Sequence, residues 1–150
     1  MQRADQLLQA AGPSSQGPLV VINPGAYYGP AKRWFSDRYA ALADRLIDEV
    51  KADIVLVGSR EEQTLAQEIQ TLAQHPLKIL TGQTDLLSLM GVLSRCDLFV
   101  TNDSGPMHLA AAQGTPQIAL FGSTDEVATG PFSSKARVLH KHVECSPCLL

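Results

Sequence analysis

A chain of 150 residues is long enough to bury a real core within one domain, and its 45% hydrophobic and 18% charged content is that of an ordinary soluble globular protein. A net charge of -3 leaves no electrostatic footprint for nucleic acid, and no basic cluster suggests an anionic membrane surface. No apolar run approaches the ~20 residues that span a bilayer, residues 1–17 lack a signal peptide's basic start and apolar centre, and three cysteines fit a reducing cytoplasm rather than a disulfide framework.

Ala4 to Ala11 has room for one or two helical turns, and the stretch Gly12-Pro13-Ser14-Ser15-Gln16-Gly17-Pro18 reads as a turn-rich linker. Leu19-Val20-Val21-Ile22 is a continuous, β-branched run stopped by Asn23-Pro24-Gly25, the pattern of a strand buried on both faces. Ser36 is a candidate N-cap for a helix carrying Tyr39, Leu42, Leu46, Ile47 and Val50 at helical spacing. Ile54 to Val57 makes a second buried strand. Ser59-Arg60-Glu61-Glu62 then has capping-box form, ahead of a stripe of Leu65, Ile69 and Leu72. Lys78-Ile79-Leu80 is a shorter strand, and Thr84 is placed to cap a helix with Leu86, Leu87, Met90 and Leu93. A fourth strand, Leu98 to Val100, runs into Thr101-Asn102-Asp103-Ser104-Gly105-Pro106. After it come a helix from about Gly105 to Gln113, a fifth strand at Gln117 to Phe121, and a sixth at Val138 to His140. Strands alternating with helices mean βαβ units and a doubly wound parallel sheet of the α/β, Rossmann-like class. The expected order is 3-2-1-4-5, with a ligand at the switch point between the first and fourth strands, outside their C-terminal ends.

Three loops leave those ends. The first, residues 23–34, combines glycines with Lys32-Arg33-Trp34, and by composition it suits either a ligand or plain turn chemistry. In the second, small residues at Ala110, Ala111 and Ala112 let the following helix approach the sheet. Its free first-turn N–H groups and positive dipole end are suited to a phosphate or diphosphate, while Pro106 gives up an N–H that had no helical partner. The competing reading makes Asp103 or Ser104 a simple N-cap. The third loop, Phe121-Gly122-Ser123-Thr124-Asp125, either grips phosphate oxygens or turns the chain. A dinucleotide Gly-x-Gly-x-x-Gly, a P-loop and a nucleophile elbow are all missing.

At these loops the sequence resembles the ADP-heptose-using glycosyltransferases of lipopolysaccharide core assembly. The matching strings are Asn23-Pro24-Gly25 with Lys32-Arg33-Trp34, Thr101 through His108, Phe121-Gly122-Ser123-Thr124, and the closing Cys145-Ser146-Pro147-Cys148. The resemblance implies the GT-B architecture, in which an N-terminal domain holds the acceptor and a C-terminal domain holds the nucleotide-sugar. Residues 18–150 correspond to that donor domain, cut short at its C-terminus, and residues 1–17 to a remnant of the interdomain linker. It further implies transfer of heptose from ADP-heptose to the lipopolysaccharide inner core with inversion, and no metal or other cofactor. The acceptor would be engaged through an N-terminal domain that this chain lacks, leaving the chain inactive alone. A cytoplasmic enzyme, peripheral to the inner face of the inner membrane, is the implied setting.

By the same resemblance Lys32 contacts the departing diphosphate, Asp103 lies near the heptose hydroxyls, and Glu61 or Glu62 accepts from the ribose. Ser104, Gly105, Pro106, Met107, His108, Ser123 and Thr124 complete the donor set, with His108 open between phosphate contact and packing. The general base is expected outside this chain. Cys145 and Cys148 supply only half of a four-ligand zinc site, and Cys96 reads as plain core.

Overall fold

Helix α1 (Gln2–Ala10) leads to β1 (Leu19–Asn23), α2 (Ser36–Val50), β2 (Asp53–Leu56), α3 (Gln63–Leu72) and β3 (Lys78–Ile79). The chain continues through α4 (Leu86–Arg95), β4 (Leu98–Asn102), α5 (Gly105–Gln113), β5 (Gln117–Phe121), α6 (Glu126–Thr129) and β6 (Ala136–His140). This is a computed structural model, and it describes residues 2–26, 32–122 and 126–140. All six strands lie parallel in one sheet, in the order β3-β2-β1-β4-β5-β6. The expected order is present, and β6 extends it at the β5 edge.

The continuous apolar runs are explained by what covers the sheet. Val20, Ile22, Ile54, Leu56 and Val100 face Tyr39, Ala40 and Ala43 of α2 and Ala66 and Ile69 of α3. Val21, Val55 and Phe99 alternate onto the other face, against Ala4 of α1, Val92 and Leu93 of α4 and Ala110 of α5. Each fully buried Val, Leu, Ile or Phe contributes about 1.5–3 kcal/mol, and the buried polar residues of the strands, Asn23, Thr101, Asn102 and Gln117, lie at the strand ends with hydrogen-bond partners. Helix α1 belongs to this packing: Ala4 is fully buried, Leu7 and Leu8 rest on the same cluster, and Asp5 pairs with Arg95 of α4. The helical turns expected over Ala4 to Ala11 are present as α1, Gln2–Ala10, which docks on α4.

Local signals shift by one residue in two places. Ser36 is the first residue of α2, not its cap; Phe35 holds the cap position and no side chain accepts there. Asp85 rather than Thr84 caps α4, its carboxylate accepting from the Ser88 N–H at 2.8 Å while the Ser88 hydroxyl accepts from the Asp85 N–H at 2.9 Å. The Ser88 hydroxyl also donates to that carboxylate at 2.7 Å, and this bond, with the one from the Ser88 N–H, holds the Asp85 carboxyl below its ordinary range. The capping box at Ser59 and Glu62 is present, but it opens a 3-10 turn at Arg60–Glu62 that precedes α3. Of the apolar residues expected along α4, Leu93 is buried, whereas Leu86 and Leu87 are exposed where the helix begins beyond the sheet's end.

Cys96 is buried between α4 and β4, as expected of core, and burial together with nearby Asp97 pushes its thiol up to about 12. Thiolate is the reactive form. With Cys145 and Cys148 replaced by serine, the native protein at pH 8 should therefore not react with a thiol-specific chromogenic reagent, and denaturant should release one thiol. Rapid labelling of the folded protein would contradict this placement.

Candidate functional site

The sheet's C-terminal ends are joined by one buried side chain. Asn102, the last residue of β4, is fully buried, and its amide NH2 donates to the Pro24 carbonyl at 2.8 Å and the Gly25 carbonyl at 3.3 Å. Its oxygen accepts from the Tyr39 hydroxyl at 2.6 Å and the Trp34 N–H at 3.2 Å. Two donors and two lone pairs exhaust a carboxamide, so both ends of the loop after β1 are fixed to the end of β4 across the switch point. Trp34 also packs edge-on against Tyr39, with centroids 5.1 Å apart. Burial raises the Tyr39 phenol above its ordinary range, with the bond to Asn102 opposing, so Tyr39 stays a neutral donor. Beside it, Asn23 at the end of β1 donates to the Thr101 and Ser104 hydroxyls at 3.2 and 2.9 Å.

Ser104 is therefore turned toward Asn23 and does not cap α5. The helix starts at Gly105 from an extended Ser104, with Pro106 in its first turn and no side-chain cap. Asp103 does not cap it either. Its carboxylate accepts from Lys32 Nζ at 3.3 Å and the Thr129 hydroxyl at 3.2 Å. Lys32 and Asp103 retain 20% and 7% of their side-chain exposure, so this ion pair is largely desolvated. Ser104 gives α5 no side-chain cap, and among the described residues no side chain is seen capping its positive end.

A cleft of about 610 Å³ opens at this end of the sheet. Asn23, Gly25, Ala26 and Arg33 wall it from the loop after β1, and Gly58, Ser59, Glu61 and Glu62 from the end of β2. Leu86 and Leu89 of α4 give it an apolar side, and Ser104, Gly105 and Pro106 bring the start of α5 into it. Glu62 Oε1 accepts from the Ser59 N–H and hydroxyl, at 3.0 and 2.9 Å, while its buried Oε2 has no hydrogen-bond partner. A Cβ built on Gly25 would lie 1.0 Å from that Oε2; the loop passes close over the carboxylate because residue 25 has no side chain.

Glu61, Glu62, Ser104, Gly105 and Pro106 thus share one cleft, and Lys32 and Asp103 stand together beside it. His108 is exposed and is not part of the cleft wall. Met107 is fully buried with Ala119 and Phe121, and its N–H donates to the Ser104 carbonyl. Ser123 and Thr124 lie outside the described residues, as do Cys145 and Cys148. The sequence reading missed Asn102 as the tie between loops and Arg33 as cleft wall. The first shows in sequence only as one more turn residue, and the second was overshadowed by neighbouring Lys32. Among the described residues, no three His, Cys, Asp or Glu side chains group as a metal site.

Fold and cleft together define a doubly wound α/β domain with a cleft at its topological switch point, where such folds place their ligands. The chain belongs to glycosyltransferase family 9 (heptosyltransferase), whose pattern matches residues 1–150. It is 42% identical over 130 residues to lipopolysaccharide heptosyltransferase 2 of Escherichia coli K12, covering 84% of this chain and 37% of that protein. Lipooligosaccharide heptosyltransferase 2 of Campylobacter jejuni is 37% identical over 147 residues, covering 89% and 46%. Among solved structures, E. coli ADP-heptose lps heptosyltransferase II superposes with a TM-score of 0.84 at 37% identity, covering 92% of this chain and 43% of that one. E. coli heptosyltransferase WaaC with ADP, at a TM-score of 0.74 and 23% identity, shares the fold. The chain spans less than half the length of these relatives.

Two substitutions test the scaffold. Asn102→Asp keeps the shape but sets an acceptor against the Pro24 and Gly25 carbonyls, and should destabilise the protein by about 2–4 kcal/mol in urea unfolding. A change within about 0.5 kcal/mol, usual for surface positions, would mean the loop is held otherwise. Gly25→Ala must displace the Glu62 carboxylate, a flexible group, so the protein should fold and lose about 0.5–2 kcal/mol with the cap at Ser59. Wild-type stability in that variant would show that the cap survives the displacement.

Proposed function

We propose that this chain supplies the donor site of a heptosyltransferase that moves L-glycero-D-manno-heptose from ADP-heptose to the lipopolysaccharide inner core. The observation that carries the reading is the uncapped N-terminus of α5 opening into the switch-point cleft, with Lys32 and Asp103 beside it. Family membership supports heptosyl transfer, and the name of the E. coli structure supports ADP-heptose as donor. The adenosine occupies the cleft, with Glu61 and Glu62 toward the ribose hydroxyls. The diphosphate meets the Ser104 and Gly105 end of α5, where backbone N–H groups and the helix dipole favour negative charge. The heptose lies on the Asp103 side.

Transfer breaks the bond between the anomeric carbon and the β-phosphate oxygen and forms one from that carbon to an acceptor oxygen, on the opposite face. Charge develops on the departing ADP. Lys32, released from Asp103, and the α5 terminus neutralise it without a metal ion, and Asp103 is then free for the sugar hydroxyls. The acceptor's proton goes to a general base outside residues 1–150, so the chain alone binds its donor without turning it over. The reaction belongs in the cytoplasm, at the inner face of the inner membrane; no helix among the described residues is long and apolar enough to cross it.

Calorimetric titration should show ADP binding and UDP not binding. Equal affinities would point to another nucleotide-sugar, and no binding by the folded chain would contradict the donor site. Lys32→Ala should weaken ADP by about 1.5–3 kcal/mol, the range of a charge-assisted contact. Asp103→Ala should weaken ADP-heptose more than ADP, and equal losses would remove the sugar contact. ADP release by the chain alone, given acceptor, would place the base within residues 1–150.

A further inference from the structure

Lys32 and Arg33 are neighbours in sequence but not in company. Lys32 is drawn to Asp103, outside the cleft wall, whereas Arg33 is part of that wall. The Trp34 N–H bond to Asn102 fixes the chain immediately after Arg33, so this divergence is built into the loop. Arg33 is only partly exposed, its Nε is buried with no hydrogen-bond partner, and the residue takes part in no ion pair. A guanidinium has five N–H donors, and a buried donor left unmade is costly. Glu62 Oε2, buried in the same wall, is the matching orphan acceptor, and the two residues do not pair with each other. A cleft whose wall carries a half-buried cation with no ion-pair partner among the described residues suits a ligand with an anionic group.

We infer that Arg33 is a second diphosphate-binding residue, holding the phosphate on the nucleoside side while Lys32 serves the phosphate on the sugar side. The inference rests on the donor-site reading above and deepens it. Arg33 and the first turn of α5 are the two positive features in the cleft, and a diphosphate lying between them is held by a planar fork on one side and backbone N–H groups on the other. Glu62, in the wall of the same cleft, repels an anion, so the two residues also fix which way round the nucleotide enters. Selection for a phosphorylated nucleoside over a bare one is the consequence. Lysine in place of Arg33 keeps the charge and loses the fork.

The test compares ADP with adenosine, each measured by competition against a fluorescent ADP derivative, for wild type, Arg33→Gln and Arg33→Lys. Thermal melts of all three establish folding. Arg33→Gln should lose about tenfold or more in ADP affinity, the range of a charge-assisted bond, with adenosine unchanged and a shallower salt dependence for ADP. Arg33→Lys should recover part of the loss. Unchanged ADP affinity in Arg33→Gln, with wild type binding ADP, would overturn the role of Arg33 and leave the donor site standing. Equal losses for ADP and adenosine would make Arg33 structural and overturn its phosphate role. A folded wild type that does not bind the fluorescent derivative or ADP removes the donor site, and this inference with it.

Discussion

The Asn102 carboxamide has no spare hydrogen-bonding capacity and no contact with solvent, and the site is arranged around that fact. Its NH2 holds the carbonyls of Pro24 and Gly25, and its oxygen holds Trp34 and Tyr39. A loop that would otherwise wander over the sheet's end is therefore pinned before and after the residues that matter. Gly25 comes close over Glu62 because Asn102 draws its carbonyl inward, and Arg33 faces the cleft because the next residue is tied down. Buried polar groups of this kind are stable only when every partner is present. The same four bonds that stabilise the loop make its geometry intolerant of substitution.

On that frame the structure sets charges of opposite sign around one helix end. Among the described residues the N-terminus of α5 has no capping side chain: Ser104 bonds with Asn23, and Asp103 with Lys32 and Thr129. An uncapped terminus near a cleft retains the partial positive charge that caps usually satisfy. Lys32 is held in reserve by Asp103 on one side, and Arg33 stands unpaired on the other. Packing links this chemistry to the core: Met107, one turn into α5, is buried with Ala119 and Phe121, which fixes the helix end relative to β5.

How much of this is legible in the sequence depends on whether a signal is local. Continuous apolar runs such as Leu19-Val20-Val21-Ile22 announce buried strands because both faces of a parallel sheet are covered, and the alternation with helices gives the strand order. The Asn102-Asp103-Ser104-Gly105-Pro106 string announces a helix start at a strand end. Caps are local too, but Thr84 and Asp85 offer adjacent candidates, and only the geometry chooses Asp85. What the sequence does not show is direction. Lys32 and Arg33 look interchangeable until the Asn102 bond to Trp34 sends them to different neighbours. Met107 looks like part of a ligand string, and only the position of β5 beneath the helix makes it core. Helix α1 is short and polar on average, and its docking rests on Ala4 and on the distant Arg95.

The central claim is that a nucleotide's diphosphate sits on the start of α5, inside the cleft that Asn102 organises. Residue-resolved amide shifts of the isotopically labelled protein, followed during titration with ADP, address it most directly. The account predicts the largest changes at Ser104 and Gly105, with smaller ones at Gly58, Ser59 and Glu62 across the cleft, and little at β6. Shifts centred on the far side of the sheet, or saturable binding that leaves Gly105 unmoved, would contradict it.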